Sequence, residues 1–226
     1  MKILLVSATP FEIAPTINYL SENFKKVKED VYAKNKLTVR IVVTGVGMPY
    51  TAYHLGKTFG EEKFDLAINA GIAGAYNRGL KIGDVVNVIS EQFGDLGIEE
   101  ADGSFSDLFD NKLLVKNNEI FTEGKIINPD TRAFDFLPKA KGLTVNKVHG
   151  YPTSIAAVIH KYDADTESME GAAFFLVCKE EKVRFLQLRS ISNYVEKRNR
   201  KNWNLSLAIE NLNVVLQQII GVLSNK

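Results

Sequence analysis

Residues 65–90, DLAINAGIAGAYNRGLKIGDVVNVIS, decide how this chain must be built. An apolar run (65–71) ends among small residues and glycines, a polar turn follows, and a second apolar run begins at 83–90. Neither run alternates polar with apolar, which is the pattern of strands covered on both faces. Glycine at the carboxyl end of such a strand lets the backbone turn sharply and lets a ligand approach main-chain N–H groups.

The same grammar extends outward. ILLVSA (3–8), LTVRIVVTG (37–45) and FLQLRSIS (185–192) read as further buried strands. Helix-like stretches lie at about 11–24, 49–60, 168–181 and 204–223. In the last, Leu205, Ala208, Ile209, Leu212, Leu216, Ile219 and Val222 recur every three or four positions. Strands alternating with helices predict an α/β fold, a mixed central β-sheet flanked by helices. No linker-like segment or shift in composition divides the chain, so residues 1–226 are expected to form a single domain. The stretch 91–135 is irregular, and long loops of this kind commonly serve function, including closure over a ligand.

Bulk composition excludes several classes. The chain has 226 residues, 45% hydrophobic and 24% charged, with 28 basic and 27 acidic side chains. That balance speaks against a nucleic-acid or membrane-surface partner. Lys197, Arg198, Arg200 and Lys201 form the one dense basic patch, readable as a solvated loop or as an anchor for an anionic substrate group. The single cysteine, Cys178, excludes an intrachain disulfide framework and reads as a buried helix residue. The N-terminal apolar run is too short for a signal peptide or membrane span, so a cytoplasmic protein is expected. GVGMPY (45–50) lacks the third glycine of a dinucleotide turn, His54 and His160 show no metal-ligand spacing, and no zinc motif is present. No metal and no cofactor are expected.

The order of the motifs is more specific than any one of them. Glu12 follows the first strand; then come G-x-G at 45–47, NAGIAGAYNRGLKIGDVV (69–86), ESMEGAA (167–173) and RSISN (189–193). This succession, from residue 1 to about 220, resembles the nucleoside phosphorylase superfamily, most of all its hydrolytic branch containing the methylthioadenosine/S-adenosylhomocysteine nucleosidases. The resemblance implies a nucleoside phosphorylase-like fold, a small-molecule nucleoside substrate, and a homodimer or larger homo-oligomer. Cleaving a glycosidic C–N bond passes through an oxocarbenium-like ribosyl cation, which a carboxylate stabilises. By resemblance, Glu12 polarises the attacking water, Glu170 accepts hydrogen bonds from the ribose hydroxyls, Met169 packs on the sugar, and Arg189 organises the water site. Ile72 and Gly74 of the glycine segment, with His149 and Gly150, line the substrate site. Ile72 stands where the hydrolases commonly carry serine, a departure that touches one water or ribose contact. Read from the residues alone, Glu170 is also an acid at a helix start, Arg189 a buried ion-pair partner and His149 a structural neighbour. Glu167 reads as a helix-start acid.

Asn193 stands where adenosine-directed members carry aspartic acid. A carboxylate facing the O6 of a 6-oxopurine would be repelled, whereas an amide offers a donor to O6 and an acceptor for N7–H. A mismatched buried polar group costs roughly 1–3 kcal/mol, enough for selectivity. An amide is no acid, so the proton for the leaving purine must come from water or another group. NYVEKRNRKNWN (193–204), with ESMEGAAFF and TVNKVHG, resembles the futalosine hydrolase family. That resemblance implies release of hypoxanthine from futalosine in menaquinone biosynthesis. Phe93, Phe105 and Trp203 are candidates for holding the 5′ aryl group, and Arg198 and Arg200 for its carboxylate. The rival expectations are a purine nucleoside phosphorylase, a methylthioadenosine-type nucleosidase and a noncatalytic nucleoside-binding protein.

Overall fold

The first strand shows why the apolar runs lack alternation: Ile3 and Leu5 enter one core cluster, Leu4 and Val6 the other. The computed structural model describes residues 1–130 and 135–225. In chain order these form β1 (Lys2–Ser7), α1 (Pro10–Asn23), β2 (Lys25–Lys28), β3 (Val31–Lys34), β4 (Leu37–Val43), α2 (Met48–Glu61), β5 (Leu66–Ala75) and β6 (Val85–Phe93). There follow β7 (Gly97–Glu99), β8 (Phe105–Asp107), β9 (Phe121–Thr122), β10 (Lys125–Ile127), β11 (Lys139–Thr144) and α3 (Pro152–Lys161). The last third contains β12 (Thr166–Ser168), α4 (Gly171–Glu180), β13 (Phe185–Tyr194) and α5 (Leu205–Ser224).

Parallel strands β4, β1 and β5 form one half of a mixed sheet. Strand β5 then pairs with both β12 and β13, and the pairings β12–β11, β11–β6 and β6–β13 close a ring of five strands. On one side of the sheet α1 and α5 pack Ile13, Leu20, Leu212, Leu216, Ile219 and Ile220 against the inner faces of β1, β4, β5 and β13. On the other, Leu55 and Phe59 of α2 meet Phe174, Phe175 and Cys178 of α4. Each such side chain contributes about 1.5–3 kcal/mol by leaving water. The stretch Arg200–Ser224 is long and apolar enough to cross a membrane by composition alone. Its apolar stripe is nevertheless buried against the sheet, with Val222 turned outward and Ile220 inward.

Several expectations need correction. The strands expected at 65–71 and 185–192 continue to Ala75 and Tyr194, so Gly71 and Gly74 lie inside a strand, paired with β13 along its length. The helix expected over 168–181 begins at Gly171. The stretch 91–135 is not one long loop. A β7–β8 hairpin leaves the main sheet, while β10 pairs with β6 and buries Ile126. Residues 131–134 of that stretch lie outside the described residues.

Candidate active site

Glu12 is placed by the local sequence Thr9-Pro10-Phe11-Glu12. Thr9 caps α1, Pro10 occupies the first turn where its missing N–H costs nothing, and Glu12 folds back onto the cap. Glu12 Oε2 accepts from the Thr9 N–H (3.0 Å), Thr9 Oγ1 (3.0 Å) and Ser7 Oγ (3.2 Å). Among the described residues Oε1 accepts only the Ile72 N–H, at 3.1 Å, and keeps a lone pair. One turn on, Pro15 lies inside the helix. Here Asn213 of α5 accepts from the Thr16 N–H (3.0 Å) and donates to the Glu12 carbonyl (2.8 Å). It thereby bridges the two groups that a regular helix would pair.

Arg189 on β13 is the register partner of Gly71 on β5. A Cβ at position 71 would stand 2.8 Å from Arg189 Nη1 and 2.9 Å from Glu12 Oε1, so glycine makes the room that these two groups share. Arg189 is 1% exposed. Its Nε and Nη2 make no hydrogen bond among the described residues, and Nη2 lies 3.7 Å from Glu170 Oε2. Glu170 Oε1 accepts the Gly47 N–H at 3.1 Å. The G-x-G at 45–47 is therefore the β4–α2 turn, with φ of 87° and 102° at its glycines, and it aims a main-chain donor at Glu170. Burial raises the Glu170 carboxyl above the usual range, opposed by Arg189 and the Gly47 N–H and reinforced by Glu12. Met169 is half-buried beside it.

Behind this cluster stands a carboxylate absent from the expected set. Glu91, 1% exposed, accepts from Thr144 Oγ1 (2.8 Å) and Gln187 Nε2 (2.5 Å). Burial pushes it up to about 7; Thr144, Arg189 and Gln187 pull it down, and Glu170 adds to the rise. A Cβ on Gly142 or Gly171 would collide with its Oε1, which explains the glycine of ESMEG. An acid in an apolar strand and two glycines far from it in sequence give no local signal of this contact. Asn213 did leave one: a polar residue on the apolar stripe of α5.

Three positions along β5 from Gly71, Gly74 is paired on one side with Glu167 of β12 and on the other with Asn193 of β13. Asn193 Oδ1 accepts from Ser192 Oγ (2.8 Å) and Nδ2 donates to the Tyr194 carbonyl (2.9 Å), leaving one N–H and one lone pair among the described residues. Glu167 is a strand residue, not a helix-start acid, because β12 is held between β5 and β11. It accepts from the His149 N–H (3.0 Å), His149 Nδ1 (2.5 Å) and the Tyr76 hydroxyl.

The Gly150 carbonyl accepts the Arg198 N–H at 2.9 Å, which ties the loop after β11 to the segment following Asn193. Arg198 and Arg200, both exposed, lie over the Trp203 ring at 5.1 and 5.8 Å. Phe93 packs with the α2–α4 cluster, and Phe105 with Leu143, Val145 and Tyr76, the last of which bonds to Glu167. The structure thus gathers Glu12, Ile72, Arg189 and Glu170 around Gly71, and Asn193 and His149 on either side of Gly74.

Residues 2–136 and 144–225 match the family model of the phosphorylase superfamily, and the chain belongs to that superfamily. Futalosine hydrolase from Thermus thermophilus is 28% identical over 181 residues, 79% of each chain. Among solved structures, futalosine hydrolase of Helicobacter pylori superposes with a TM-score of 0.78 at 14% identity, covering 98% of this chain and 97% of that one. The 5′-methylthioadenosine/S-adenosyl homocysteine nucleosidase of Campylobacter jejuni gives 0.79 at 18% identity, with both chains fully covered. Both likenesses concern the fold.

Proposed function

We propose that this chain is an N-ribosyl hydrolase that cleaves futalosine to hypoxanthine and dehypoxanthine futalosine. The observation that carries the hydrolytic reading is the meeting of Glu12, Arg189 and Glu170 around Gly71, with Arg189 as the one cation in the cluster among the described residues. A single guanidinium beside two carboxylates suits a polarised water better than a phosphate dianion. Glu12, oriented by four donors, takes a proton from that water through the free lone pair of Oε1. The water oxygen bonds to C1′ as the C1′–N9 bond breaks and its electron pair leaves with the purine. Glu170 Oε2, 3.7 Å from Arg189 Nη2, accepts from the ribose hydroxyls and faces the cationic sugar.

Asn193 supports the choice of base. Its remaining N–H serves O6 of a 6-oxopurine, and the Thermus relative bears the same activity in its name. A methylthioadenosine-type nucleosidase is the second reading, since the fold matches such enzymes as closely. Asn193→Asp separates the two. Relative kcat/KM is expected to move from 6-oxo towards 6-amino nucleosides by roughly tenfold or more; unchanged ratios would remove Asn193 from base recognition.

A further inference from the structure

We propose that His149, oriented by Glu167 and Tyr76, is the general acid that protonates the leaving purine. The inference rests on the nucleosidase reading above and supplies what that reading lacks, since Asn193 has no acidic proton.

The three side chains form one hydrogen-bonded unit on the face of the sheet that Asn193 occupies. Tyr76 follows directly on the end of β5, two residues beyond Gly74. Glu167 and Asn193 flank Gly74 in register, and a Cβ on Gly74 would stand 3.2 Å from Asn193 Nδ2. Two strand spacings, roughly 10 Å, separate the backbones of Glu167 and Asn193. The Val195 methyl covers Gly74 itself, 2.9 Å from where a Cβ would stand, so a planar base between the two sides would pack on that methyl.

Glu167 fixes the imidazole. It accepts at Oε2 from the ring Nδ1 and at Oε1 from the main-chain N–H of the same residue, so His149 is gripped at two points. The Tyr76 hydroxyl, 3.3 Å from Nδ1, donates to the same carboxylate. Burial, then the Glu167 charge, holds that phenol far above its usual range, so it remains a donor. With Nδ1–H engaged, the proton that exchanges is the one on Nε2. Nε2 has no hydrogen-bond partner among the described residues. Among those residues Glu167 has no lysine or arginine partner, so His149 is its one ion-pairing neighbour. A carboxylate only 4% exposed, in two hydrogen bonds with side chains and one with a main-chain N–H, is an orienting device rather than a surface charge.

The step balances. As C1′–N9 breaks, the purine's N7 takes the Nε2 proton of the imidazolium, and Asn193 donates to O6. Glu12 holds the proton lost by water, and both groups re-equilibrate with solvent after release. Glu167 and Tyr76 act through His149 and are positioning residues.

The test compares a purine nucleoside with a p-nitrophenyl riboside, whose leaving group departs without protonation. His149→Ala is expected to lose on the order of 10²–10⁴-fold in kcat on inosine or futalosine, and far less on the nitrophenyl riboside. Added imidazole is expected to restore purine release. Glu167→Gln is expected to show the same selective loss, smaller in size. Parallel losses on both substrates, or no loss on the purine nucleoside, would overturn the assignment. Wild-type protein that hydrolyses neither substrate would instead remove the nucleosidase reading itself.

Discussion

Gly71 and Arg189 face each other across adjacent strands, and the missing side chain of the first is the space occupied by the guanidinium of the second and by Glu12 Oε1. Gly71→Ala is therefore expected to push the two groups apart. Displacements of this size cost about 10²-fold in rate, and overpacking costs about 1–3 kcal/mol. Steady-state kinetics beside a thermal melt check this; wild-type kcat/KM in a folded variant would show that the pair does not act together.

Asn213 joins Thr16 to the Glu12 carbonyl and so carries the helix across Pro15. Asn213→Ala leaves the buried Thr16 N–H and hydroxyl without this acceptor, at about 1–3 kcal/mol for each group left unpaired. Denaturant unfolding is expected to register that loss, together with roughly tenfold slower turnover as Glu12 shifts. Asn213→Asp keeps the acceptor and is expected to retain more stability than the alanine variant.

Glu91 predicts a pH dependence of stability. Burial raises its folded-state value to about 7 from an ordinary 4.5, with Arg189 and Glu170 as its charged neighbours. A raised carboxyl favours the folded state while protonated. Its contribution is complete below the unfolded value and is lost as pH rises through about 7. The loss is on the order of 3 kcal/mol between pH 4.5 and 8. Thermal melts across that range are expected to converge for wild type and Glu91→Gln at low pH and to separate at high pH, the variant being more stable. A constant offset would place the charge elsewhere.

Much of this architecture was legible because the physics is local. The unbroken apolar runs of β1 and β5 follow from burial on both faces, and the stripe on α5 from a single packed side. Thr9 and Glu12 carry the spacing of a capping box. Non-local features were not legible. KAKGLT (139–144) does not look like a strand, because its charges and glycine answer to partners across the sheet; Gly142 makes room for Glu91. ESMEG looks like an acidic helix start, yet β12 exists only through pairing with β5 and β11. Tyr76 and Glu91 join the site only once the ring of strands closes.

The measurement closest to the central claim is product analysis by chromatography after incubating the protein with futalosine, inosine and methylthioadenosine, each with and without phosphate. Hypoxanthine released from futalosine at the same rate in both conditions, ahead of inosine and of any adenine from methylthioadenosine, is the predicted result. Release that requires phosphate, or a preference for methylthioadenosine, would contradict it.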